Sequence, residues 1–134
     1  LAGKNVVTQS GSSAYTALTA TEDNDKNLAL AKTFAQLQTV ADYNTAFANL
    51  DSGMVDAIAV DIGIAKYQLA SRNDSSLAML EKPLSTEQYA IGFKQGNTEL
   101  RDKVQASFDQ LVSDGTFMKL AEKYELADMV CVGK

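Results

Sequence analysis

Two short runs of this sequence carry groups that could hold a small charged ligand. The first is Gly11-Ser12-Ser13, directly after Lys4-Asn5-Val6-Val7-Thr8-Gln9. The β-branched stretch reads as a buried strand, and the small residues after it as a helix start. A helix N-terminus offers free N–H groups and a partial positive charge, which favour a carboxylate or phosphate. Glycine lets a ligand approach the backbone, and a serine hydroxyl adds a donor. The second run is Val55 to Val60 (VDAIAV), with Asp61 at its end. A carboxylate there can accept charge-assisted hydrogen bonds from an ammonium. Each run also has a plain structural reading, because Ser and Asp are favoured helix caps. Together they are more suggestive. One site suits an anion and its neighbour a cation, and an α-amino acid carries both groups on one carbon.

The rest of the composition narrows the chemistry. The chain has 134 residues and no histidine. The commonest general base and metal ligand is therefore missing, and no Ser-His-Asp or Cys-His arrangement exists. The one cysteine, Cys131, cannot form an internal disulfide, and zinc sites built on cysteine usually need several. Glu22, Asp23 and Asp25 lack the glycine and distal glutamate of a calcium loop, so a solvated loop is expected. The net charge of −5 argues against a nucleic-acid surface. No metal, cofactor or catalytic residue is expected. No apolar run is long enough to span a bilayer.

Strand and helix signals alternate. After the first strand, Ala14, Ala17 and Leu18 give a helix face. Thr21 to Asn27 is polar and reads as a loop, with a helical turn at Leu28 to Lys32. Phe34 to Val40 reads as a strand. Asp42 is placed to cap a helix with Tyr43, Ala46, Phe47 and Leu50 on one face, and Gly53 to end it. Val55 to Val60 is a strand, and Ile62, Ala65 and Leu69 continue as a helix. Leu77 to Leu80 and Tyr89 to Phe93 read as further strands. Asn97 is expected to cap a long helix bearing Leu100, Val104, Phe108, Leu111 and Val112. Thr116 is expected to cap a last helix with Phe117, Leu120, Ala121 and Tyr124. The alternation predicts an α/β fold with a parallel sheet between helices.

Several motifs occur in order. They are Gln9-Ser10-Gly11-Ser12-Ser13-Ala14, Gly53-Met54-Val55-Asp56-Ala57, Val60-Asp61 and Glu87-Gln88-Tyr89-Ala90-Ile91-Gly92-Phe93, then the run Asn97 to Val104, Asp114-Gly115-Thr116-Phe117 and Lys123-Tyr124. This set closely resembles the family 3 solute-binding proteins of ABC amino-acid importers. The resemblance implies a periplasmic-binding-protein-like type II fold, in which two α/β lobes close on a ligand. It implies that residues 1–85 are the inserted ligand-binding lobe 2, 86–94 a hinge strand and 95–134 the C-terminal helices of lobe 1. It assigns Ser13, with the backbone of Gly11 and Ser12, to the ligand α-carboxylate. It assigns Asp61 to the α-ammonium and Gln9 to the ligand side chain.

The implied partners are an amino acid and a membrane permease. The implied location is extracellular, periplasmic or lipid-anchored at the cell surface, after loss of a signal peptide. The chain opens at Leu1, almost inside a strand, which suggests a fragment without the N-terminal part of lobe 1. The apolar face of the last two helices would then lack its sheet, and dimerisation or domain swapping of the isolated chain is expected. The same fold also serves cyclohexadienyl-dehydratase-type enzymes and sensor domains, the competing expectations.

Overall fold

The computed structural model describes residues 1–21, 25–72 and 76–132, with Asp25 as backbone only. Its chain divides into two units, Leu1–Glu87 and Gln88–Lys134.

The first unit is built around one strand, β1, at Asn5–Gln9. β1 lies between β2 (Gln36–Val40) and β3 (Ala57–Ala59), parallel to both, in the order β2-β1-β3. Side chains alternate across a strand, so Val6 and Val7 face opposite layers. Val6 packs with Ala14 and Leu18 of α1 (Ser13–Thr19) and with Ala59. Val7 packs with Ala46 of α3 (Tyr43–Asp51) and with Val55. Both valines are at most 1% exposed, and each such burial contributes about 1.5–3 kcal/mol. A short helix, α2 (Asp25–Ala31), packs on α1. β3 leads into α4 (Ile62–Arg72).

Among the described residues Thr8 is the one buried polar residue, and it is fully buried. Its hydroxyl donates to the Ala59 carbonyl at 2.8 Å and lies 3.2 Å from the Ser12 hydroxyl. Ser12 Oγ in turn donates to the Gln9 carbonyl at 2.8 Å. Two hydroxyl protons thus serve three short contacts, so one contact at a time goes without a proton.

Polar clamps set the element ends. The Asp42 carboxylate accepts from the Thr45 N–H at 2.9 Å, which caps α3 and holds the carboxyl below its usual range. Gly53 closes that helix at φ +74°, where glycine is unstrained. Asp56 accepts from the Asn5 N–H at 2.8 Å and from the Lys4 ammonium at 3.0 Å. The Asn5 bond foremost, then Lys4, lowers its pKa.

The second unit holds α5 (Thr98–Ser113) and α6 (Thr116–Lys123), whose Phe108 and Phe117 rings meet edge-on at 5.0 Å. Glu99 and Lys103 pair at 2.6 Å. Every residue of α5 and α6 is described and none is buried. Their apolar faces therefore stand open.

Several expectations are corrected. β3 is shorter than Val55–Val60, because only Val6 to Thr8 of β1 pair with it. Leu77–Leu80 and Tyr89–Phe93 form no strand. A strand exists only by pairing, and neither segment joins the ladder. Leu80, Tyr89 and Ile91 are consequently exposed. α2 begins before the expected Leu28, while Glu22, Asp23 and the Asp25 side chain lie outside the described residues. Asn97 sits at the cap position of α5 but makes no side-chain cap bond. At α6 the cap position is Gly115, not Thr116, and the Asp114 carboxylate accepts from the Thr116 N–H at 2.9 Å.

Thr8→Val keeps the shape and removes the hydroxyl. Urea unfolding is expected to show a loss of about 1–2 kcal/mol. Asp56→Asn tests the strand clamp. Because the native pKa of Asp56 is depressed, its contribution is present above the unfolded value near pH ~4 and fades as pH falls through the native value. The variant is expected to have a lower urea midpoint at neutral pH, with the gap closing in acid.

Candidate functional site

The carboxyl ends of the three strands lie side by side, since Gln9 pairs with Val40 and Thr8 with Ala59. In open parallel sheets this edge is where ligands bind.

Gly11 turns the chain out of β1 at φ +70°, which admits glycine without strain. Ser12 is the N-cap of α1, and its Oγ accepts from the Tyr15 N–H at 3.1 Å. The Ser12 N–H donates to the Gln9 carbonyl at 3.3 Å. Both polar groups of Ser12 thus maintain the turn. Ser13, one residue on, is exposed, and its hydroxyl donates to Glu87 Oε1 at 3.1 Å. A carboxylate already sits where Ser13 would meet one from a ligand.

Asp61 follows β3 by two residues and is half-buried. Its Oδ1 accepts from the Gly63 N–H at 2.8 Å and the Ile64 N–H at 3.3 Å, which caps α4. The expected capping role of Asp61 is thus present. Gln9 is half-buried at the end of β1, and its Nε2 donates to the Ala41 carbonyl beyond β2 at 3.0 Å.

The structure thus places Gln9, Gly11, Ser12 and Ser13 in one turn, with Asp61 at the adjoining strand end. Two participants escaped the sequence reading. Thr8 anchors the turn from below, and its signal was a lone hydroxyl inside a valine-rich strand. Glu87 meets Ser13 from 74 residues away, and no local pattern announces such a contact. In the other unit, a groove of about 290 Å³ on α5 is lined by Lys103, Val104, Ser107, Phe108 and Leu111. Its lining is mainly apolar and belongs to the open face of that helix. Among the described residues no group of three or more acidic or cysteine side chains could hold a metal, and no helix is long and apolar enough to cross a membrane.

The chain is 32% identical over 101 residues to the glutamate-binding protein of Corynebacterium glutamicum, which covers 72% of the chain and 34% of that relative. It is 29% identical over 93 residues to the L-cystine-binding protein of Escherichia coli, covering 69% and 35%. It is 33% identical over 82 residues to the ABC transporter glutamine-binding protein of Bacillus subtilis, covering 61% and 29%. The chain spans about a third of the length of these relatives. No family profile matches it, and no solved structure matches it significantly. All three relatives are named as binding proteins. Their shared lineage agrees with the ordered motifs and the parallel α/β sheet, and the chain belongs to the family 3 solute-binding proteins of ABC amino-acid transporters.

Proposed function

We propose that this chain contributes the ligand-clamping lobe of an amino-acid receptor that delivers its cargo to an ABC permease outside the membrane. One observation carries the reading. The Ser13 hydroxyl holds a carboxylate at the end of β1, and Asp61 stands at the end of the adjoining strand. That is a donor for a carboxylate and an acceptor for an ammonium at the ends of neighbouring strands. Ser13, with the Gly11 and Ser12 turn, takes the α-carboxylate. Asp61 takes the α-ammonium, and Gln9 faces the side chain. Residues 1–85 act as lobe 2, 86–94 as the hinge and 95–134 as helices of lobe 1. Binding on the open lobe is followed by hinge closure, and the permease reads the closed state.

In this scheme Glu87 is a rival for Ser13, since both its carboxylate and the ligand's want the same hydroxyl proton. The ligand must displace it.

The reading is tested by calorimetric titration of the full-length protein with the twenty amino acids. Micromolar binding of one or a few is expected, and binding of none would remove the amino-acid assignment. Asp61→Asn separates charge from capping, because asparagine caps a helix as well as aspartate does. It is expected to keep the urea midpoint while weakening binding at least about tenfold, as loss of a charge-assisted bond requires. Ser13→Ala should weaken binding by a similar factor, and Glu87→Ala should strengthen it several-fold. Unchanged affinity in Asp61→Asn would refute the ammonium role.

A further inference from the structure

The stretch that leaves the first unit is held at two points of opposite character. The first is Leu84, half-buried, whose side chain packs against the cluster of Val6, Ala14, Leu18 and Ala59. Its carbonyl accepts from Asn27 Nδ2 of α2 at 2.7 Å, in a half-buried bond. Undoing this anchor means opening the apolar core, which is costly. The second point is Glu87, the last residue of the unit. Its carboxylate accepts from the Ser13 hydroxyl at 3.1 Å, in an exposed bond. Water competes for such a bond at all times, so it opens far more cheaply than the Leu84 anchor. Residues 85–87 between and beyond the two points are exposed.

The chemistry of the two serines separates their duties. Ser12 Oγ accepts from the Tyr15 N–H and donates to the Gln9 carbonyl, so Ser12 shapes the turn after β1. Ser13 spends its proton on a residue 74 positions away. A serine hydroxyl has one proton to give, so Ser13 holds Glu87 or serves another acceptor, but does not do both fully. Its bond is thus dispensable for the turn and exclusive toward the segment that joins the units.

We propose that the Ser13–Glu87 bond is a releasable clasp that couples the turn after β1 to the connection between the two units. Closed, it pins the connection as far as Glu87. Open, it releases residues 85–87 while the Leu84 anchor stays in place. Tyr89, beyond them, has an interaction of its own, so the released stretch is short. Any acceptor that takes the Ser13 proton opens the clasp. By the same linkage, a movement that draws Glu87 away returns the hydroxyl to other acceptors. In the proposed receptor a cargo carboxylate is one such acceptor, but the clasp itself does not rest on that reading.

The test is backbone nitrogen relaxation, measured by NMR on the full-length protein without added ligand. The amides of residues 85–87 are expected to be as ordered as that of Leu84, with order parameters near about 0.85. In Glu87→Ala they are expected to fall below about 0.6 while Leu84 keeps its value. Ser13→Ala should give the same fall, and the double variant no further one, because both changes remove one bond. Ser13→Thr restores a hydroxyl and should restore the order. Both residues are exposed or half-buried, and an unchanged urea midpoint confirms that the variants are folded. Mobility of residues 85–87 already in the wild type, no response to either single variant, additive loss in the double variant, or a Ser13→Thr protein as loose as Ser13→Ala would each overturn the clasp. Failure of the wild type to bind any amino acid would remove the receptor function and leave the clasp standing.

Discussion

The buried hydroxyl of Thr8 is the point on which the first unit turns. It sits at the centre of a three-stranded sheet and reaches in two directions, to the Ala59 carbonyl of β3 and to the Ser12 cap of α1. A hydroxyl in an apolar core is costly unless bonded, and the Ala59 carbonyl meets that need while Ser12 lies beside it. The strand leading to Asp61 and the turn leading to Ser13 therefore both pack against Thr8. A valine at this position would fill the space as well but would leave the two halves of the site tied only by backbone. The candidate site residues are exposed or half-buried, while Thr8 beneath them is fully buried.

Much of this was legible in the chain itself. The valines of β1 and the i, i+3, i+4 spacing of Tyr43, Ala46 and Phe47 are local patterns, and they formed where they were read. So did the glycine stop at Gly53 and the Asp42 cap. What failed was whatever depended on a distant partner. Leu77–Leu80 and Tyr89–Phe93 have the residue types of strands, but residue type supplies no neighbour to pair with. The Asp114 carboxylate displaced Thr116 as the capping group because Gly115, in the left-handed conformation, took the cap position itself. The motif residues of the candidate site were singled out in the chain, while their neighbours Thr8 and Glu87 were not, because contacts across 51 or 74 residues are visible only in three dimensions.

The two units present their apolar surface in contrasting ways. In the first, helices α1 and α3 cover opposite faces of β1, and the core closes on itself. In the second, α5 and α6 hold each other through one aromatic pair and leave Leu100, Leu111 and Leu120 between 40% and 49% exposed. An aromatic contact of this kind is worth only about 0.5–1.5 kcal/mol beyond its buried area. The exposed Glu99–Lys103 pair adds only about 0.2–0.5 kcal/mol more.

Under the proposed function, the bond between Ser13 and Glu87 would give capture of a ligand the character of an exchange reaction. The hydroxyl would not be desolvated bare when cargo arrives. One carboxylate would be traded for another of the same chemical kind, so the enthalpy of the new bond would be largely cancelled by the old one. What would remain to drive association is the difference between the partners: the ammonium that a free amino acid brings and Glu87 lacks, and the hydration that Glu87 regains in solvent. A pocket that carries its own stand-in would discriminate against lone carboxylates such as acetate, because they repeat what is already there and add nothing for Asp61 to hold.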